Sequence, residues 1–294
     1  MGVELDKIQK PIRKLRKILE GLPPDPTARV VHLLRTYARQ LQAIVPALMP
    51  ERKRKTRRLL KSLKQVRKLA GGVRDMDVLV ARTLTLSHGP HDHSAAHLVE
   101  HLGAMRLERA RDLCEVVNEH SKRARRSLKW LSKQIEGRFG GPDTQDRKIL
   151  PEDVVQSLVI ELDLWPALTP DNLHGFRIKV KKLRNVLQLA QDVDPALVKR
   201  LGKVKDRIGD WHDWHQLARI AKRVFDPHKD RAALKNIELI GTKKLEQALR
   251  AAEELRTLLF TGQTQMAATK ATKKPMGPAE RIHSKRIART GRVG

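Results

Sequence analysis

The sequence predicts an all-α fold, and three observations carry that prediction. Strand formers are scarce: the 294 residues include one Tyr and four Phe, and β-branched residues rarely alternate with polar ones. Long stretches rich in Leu, Ala, Lys, Arg and Glu space their apolar residues near 3.6. Proline and glycine punctuate those stretches at intervals suited to helix starts and stops.

In chain order, Met1 to Leu19 alternates basic residues with Ile and Leu and stops at Gly21-Leu22-Pro23-Pro24. It lacks the continuous apolar stretch and cleavage site of a secretory signal. Further breaks fall at Pro46 to Pro50, Gly71-Gly72, Gly89-Pro90, Gly140-Gly141-Pro142, Pro166 to Pro170, Pro195 and Gly209. About ten helices fit between them. The stretch from Phe139 to Arg147 divides the chain into a first helical half, 1–139, and a second, 140–262. From Gln263 apolar periodicity is lost, so 263–294 is expected to be a disordered basic tail, serving either polyanion affinity or solubility.

The length suffices for one large or two ordinary domains. Lys plus Arg number 61 against 33 Asp plus Glu, a net charge of +28. That excess repels itself unless spread out or met by a polyanion, so nucleic acid, polyphosphate or an anionic surface is the expected partner. The lone cysteine, Cys114, excludes an intramolecular disulfide and fits a reducing compartment, so the expected location is the cytoplasm. No run of 18 apolar residues occurs, so no membrane-spanning segment is expected.

An internal repeat appears when His32 is laid on His174. Both copies read His-x-x-Arg-x-x-x-basic-x-Leu, over His32, Arg35, Arg39 and Leu41 and over His174, Arg177, Lys181 and Leu183. A glycine with aspartate at its fourth following position comes later in each, as Gly71 with Asp75 and Gly209 with Asp213.

On a helix His32, Arg35 and Arg39 form one stripe, and Leu34, Ala38, Leu41, Val45 and Leu48 form another about 200° away. The second copy separates His174, Arg177, Lys181 and Arg184 from Phe176, Val180, Leu183 and Leu187 in the same way. The following helices oppose Leu59, Leu63, Val66 and Ala70 to Arg57, Lys61, Lys64 and Lys68, and Leu197, Leu201, Val204 and Ile208 to Lys199 and Lys203. Lys61 and Lys199 each lie ten residues before their glycine. Solvated faces normally mix charges, since like charges one turn apart destabilise a helix by a few tenths of a kcal/mol per pair. Acid-free stretches such as Arg52 to Arg58 forgo that mixing, which favours a polyanion as the neutralising partner. Gly71 and Gly209 are expected to end the second helix of each copy in a left-handed conformation. Asp75 and Asp213 would then start a third helix, or orient a nearby Arg or His.

These motifs resemble the CHAD family, the conserved histidine α-helical domain, over roughly Pro24 to Leu259. The second copy keeps the family's basic-basic-Leu-Arg run as Lys181-Lys182-Leu183-Arg184, whereas Gln40 and Gln42 depart from it in the first. The resemblance implies two pseudo-symmetric antiparallel four-helix bundles forming one unit, with a basic groove or pore that binds inorganic polyphosphate, and association with polyphosphate granules. Carried over by position, the implied anion contacts are His32, Arg35, Arg39, Lys61, Lys64 and Arg123, with His174, Arg177, Lys181, Arg184, Lys199 and Lys203. The Glu-x-Glu-x-Lys string of the phosphohydrolase to which some members are fused does not occur.

A sequence-independent DNA or RNA binder is the alternative, because phosphate contacts serve either polymer. Against it, Trp130, Trp165, Trp211, Trp214 and Tyr37 occupy mostly apolar helix positions, which suits a core better than a base-stacking platform. No phosphate-binding loop or His-Glu-x-x-His motif occurs, and Cys114 has no nearby histidine, so neither an enzyme nor a cofactor is expected. His88, His91, His93, His97 and His101 form the one metal-like cluster, read here as a solvated loop and helix start.

Overall fold

The computed structural model describes residues 5–49, 54–86, 92–139, 152–188 and 194–272. Among them are eight helices and no strand: α1 (Leu5–Glu20), α2 (Ala28–Leu48), α3 (Arg54–Leu84), α4 (Asp92–Phe139), α5 (Glu152–Asp163), α6 (Pro170–Leu187), α7 (Pro195–Val224) and α8 (Arg231–Thr272). The fold is all-α, as the apolar spacing predicts.

Helix starts follow the capping signals. The Val30 N–H donates to Thr27 Oγ1 at 3.4 Å ahead of α2. The Thr169 N–H donates to Asn172 Oδ1 at 3.0 Å, with Pro170 as the first residue of α6. Asp194 Oδ1 accepts the Ala196 N–H at 2.8 Å, with Pro195 opening α7. Proline suits that first position because its missing N–H has no partner to lose there.

The expected glycine stops fail. Gly71 and Gly72 lie inside α3, and Gly209 lies inside α7. The helices are therefore fewer and longer than the punctuation suggests, and Asp75 and Asp213 sit in helix interiors instead of at starts. At Gly209 the reason is spatial, since the Arg177 side chain occupies the room that a β-carbon would need, whereas Gly71 and Gly72 stand at ordinary contact distance from Arg35 and Arg109.

Three apolar clusters form the core. The first joins α1, α2, the N-terminal part of α3 and the C-terminal part of α4 through residues such as Ile12, Leu41, Leu63 and Leu128. The second joins α5, α6, the start of α7 and the later part of α8 through Leu162, Phe176, Leu201 and Leu255. The third is shared, with Met76, Leu79, Leu98 and Leu102 packing with Trp214, Leu217, Phe225 and Ile237. Side chains of this size contribute about 1.5–3 kcal/mol each when fully buried, so an apolar core, and not merely a connecting segment, ties 1–139 to the rest. Polar contacts reinforce it: Asp210 pairs with Arg82 and, at 2.8 Å, with Lys244, and Ser94 Oγ donates to Asp230 Oδ1 at 2.5 Å.

The apolar stripes expected from the repeat are buried, Leu34, Ala38, Leu41 and Val45 in α2 and Phe176, Val180, Leu183 and Leu187 in α6 among them. The side chain of Leu48 lies outside the described residues. At the C-terminus α8 stays helical to Thr272, past the expected tail boundary at 263. Between Gly262 and Pro275 the chain contains no helix breaker and several alanines, which accounts for the extension. Residues 273–294 lie outside the described residues.

Candidate anion-binding site

The repeat places its cations where α2 meets α3 and where α6 meets α7. In the first pair Arg35 lies against Gly71, and the Gln42 side chain donates to the Leu60 carbonyl at 3.3 Å. Increasing numbers on α2 thus meet decreasing numbers on α3, so the two run antiparallel. In the second pair Arg177 Nε donates to the Lys205 carbonyl at 3.1 Å and Arg184 lies against Gly202, which is the same sense.

Glycine makes this closeness possible in the second pair, at Gly209 above all. A β-carbon at Gly209 would stand 2.7 Å from Arg177 Nη2 and one at Gly202 would stand 3.3 Å from Arg184 Nε, whereas one at Gly71 would meet Arg35 Nε at an ordinary 3.6 Å. Packing a guanidinium onto a helix surface fixes its direction, so less side-chain freedom remains to be lost on binding an anion.

Cations from α2, α3, α6 and α7 converge here. The Lys181 ammonium is pushed down to about 7 by burial first, and then by Arg39, Arg177, Arg35 and Lys205. Arg39 is likewise lowered by burial and then by Arg35, Arg67, Arg184 and Arg177. Thus residues of α2, α3, α6 and α7 share one electrostatic neighbourhood, and the strongest charged neighbours of Lys181 and Arg39 are all cations. Asp75 is nearby but its carboxyl is pushed up, by burial and by Asp213, against the opposing pull of Arg35, His212 and Arg109. The two repeat aspartates, Asp75 on α3 and Asp213 on α7, therefore act on the same cations and screen part of the positive field.

His32 and His174 are on the exposed rim. Both imidazoles lie below their ordinary pKa, through desolvation first. Arg74, Arg35 and Arg39 add to the effect at His32, and His212, Arg177 and Lys181 at His174. The His174 and His212 rings are 5.1 Å apart.

A family model described as the CHAD domain matches residues 7–222. The chain belongs to the CHAD family. The match starts in α1 and stops near the end of α7, yet α8 completes the second core through Ala248, Ala252 and Leu255. No curated relative and no solved structure matches the chain.

Within this CHAD protein the implied contacts separate. Arg35, Arg39, Arg177, Lys181 and Arg184 come together at the centre, with His32 and His174 beside them. Lys61 and Lys64 are exposed on α3, and Lys199 is exposed near the start of α7. Lys203 lines a cleft with Arg177 but also with Asp206, Asp210 and Asp213, so its surroundings are mixed in sign. Arg123 is elsewhere, in a groove between α3 and α4 with Arg54, Lys55, Arg58 and Arg126.

Three central residues escaped the sequence reading: Arg67, Lys205 and His212. Arg67 and Lys205 each lie four residues before the repeat glycine, one helical turn from the point of closest approach, and that common spacing was the available signal. Gln42, a departure from the family's run, ties α2 to α3.

The remaining candidates are structural or peripheral. Trp211 and Trp214 are buried, and Trp130, Trp165 and Tyr37 pack partly buried against the cores. Cys114 Sγ donates toward the Pro23 carbonyl at 3.3 Å, and burial pushes its thiol up, away from nucleophilic use. His93, His97 and His101 are exposed on α4, while His88 and His91 lie outside the described residues. Among the described residues no three metal-binding side chains converge, and no helix is long and apolar enough to cross a membrane.

Proposed function

We propose that this protein binds inorganic polyphosphate, without catalysis, between two pseudo-symmetric four-helix halves, α1–α4 and α5–α8. The observation that carries the reading is the cluster of Arg35, Arg39, Arg177, Lys181 and Arg184. It draws on both halves and holds Lys181 and Arg39 among cations whose mutual repulsion the nearby Asp75, Asp206 and Asp213 offset only in part, so a bound anion would relieve it further. Polyphosphate offers a charge at every unit and no bases to stack. The site matches this with guanidinium forks and a lysine point charge, and Trp211 and Trp214 are buried in the core. Family membership supports the same ligand, and with it a cytoplasmic protein associated with polyphosphate granules.

The test is a competition titration of polyphosphate against duplex and single-stranded nucleic acid at matched charge and near-physiological salt. Polyphosphate should bind tighter, and equal or tighter binding of nucleic acid would overturn the reading. Neutralising Arg177 and Lys181 should weaken polyphosphate binding more than neutralising Lys273 and Lys274; the opposite ranking would move the site to the tail.

A further inference from the structure

The groove that holds Arg123 is built as a second cationic surface. Arg54, Lys55 and Arg58 of α3 face Arg123, Arg126 and Ser127 of α4 across it. All five cations are exposed, and among the described residues none of them is in an ion pair. Lys55 Nζ rests 4.8 Å from the centre of the Trp130 ring, which holds that ammonium at the edge of the groove.

A track leads from the centre to this groove. Lys68, Lys64, Lys61, Arg57 and Arg54 are exposed on α3 and recur at alternating steps of four and three residues, so they form one stripe. The upper end, Lys68, adjoins Arg67 of the central cluster, and the lower end, Arg54, lines the groove. At 1.5 Å per residue the stripe is about 21 Å long, further than three linked phosphates reach.

The geometry points to a second polyphosphate subsite in the α3–α4 groove, joined to the central cluster by the α3 stripe so that one long chain occupies both. This inference rests on the proposed ligand. Once a chain is held at the centre, its free end is confined near the groove, and the second contact forms at high effective concentration. Affinity therefore rises with chain length beyond what one site gives.

The experiment compares tripolyphosphate with polyphosphate of about a hundred units, long enough to be bivalent, on the full chain. The variant Arg54→Ala/Arg58→Ala/Arg126→Ala should lose about tenfold or more in affinity for the long polymer and stay within about twofold for tripolyphosphate. An equally charged control, Lys235→Ala/Lys243→Ala/Arg250→Ala on α8, should change both little. Unchanged long-chain affinity in the groove variant, an equal loss for both probes, or the same loss in the control would overturn the second subsite. Arg177→Ala tests the underlying reading separately. It should weaken both probes, and if it weakens neither, the central site fails whatever the groove variant does.

Discussion

A β-carbon at position 209 would stand 2.7 Å from Nη2 of Arg177, so the absence of a side chain at Gly209 sets where that guanidinium lies. Alanine in a helix interior normally stabilises by about 0.5–1 kcal/mol over glycine. Gly209→Ala should forfeit that gain and displace Arg177, lowering polyphosphate affinity about tenfold, or about 1.4 kcal/mol. Gly71→Ala meets Arg35 only at 3.6 Å and should keep both its stabilisation and its affinity. Thermal melts and titrations of the two variants make the comparison, and equal behaviour would deny Gly209 this role.

Lys181 links stability to pH. Its folded-state pKa, about 7, is below the ordinary lysine value of 10.5, so between those limits the unfolded chain holds the extra proton. Stability from this group therefore rises as pH climbs from about 7 to 10.5 and is lost as pH falls back through 7. Lys181→Met should be more stable than the parent at pH 6 by about 1 kcal/mol, a discounted figure because solvent screens a partly exposed ammonium. The advantage should shrink toward pH 10, as followed by denaturant unfolding, and an advantage constant across that range would refute the assignment.

The two rim histidines predict proton uptake on binding. Free His32 and His174 titrate below 6.5, each depressed by desolvation and by neighbouring positive groups. An anion among those groups raises both, so the bound form holds more protons and affinity increases as pH falls from about 7.5 toward 5.5. Calorimetry in buffers of different ionisation enthalpy measures the uptake. His174→Gln should reduce it, and identical uptake in parent and variant would exclude His174 as a contributor.

Asp210 holds α3 and α8 to α7 through Arg82 and Lys244. Asp210→Asn keeps the shape but leaves two partly buried cations without their counter-charge, which should cost about 1–3 kcal/mol. The melting temperature should fall at neutral pH. An unchanged melt would mean that the shared apolar cluster alone holds the junction.

Much of the fold was legible because burial writes a local signal. The apolar positions of α2 and α6 repeat near 3.6, and their burial follows directly. Proline at the start of α6 and α7 was equally readable, as its missing N–H has meaning at that position alone. Glycine misleads at Gly71 and Gly209, because its local preference for helix ends is weak against tertiary packing. Nothing near Gly209 in sequence says that Arg177 occupies the space beside it.

The sequence by itself determined an all-helical chain, the cationic stripes opposite buried ones, and the repeated His/Arg and Gly/Asp motifs. These follow from spacing along one helix, where 3.6 residues per turn settles which side chains share a face. Tertiary structure alone decided that Arg39 and Lys181 enter one neighbourhood, that Arg123 faces a different groove, and that the charge of Asp213 acts on Asp75. Those relations depend on how helices cross, which is set by the shapes of distant side chains such as Met76 and Trp214 meeting in the shared core.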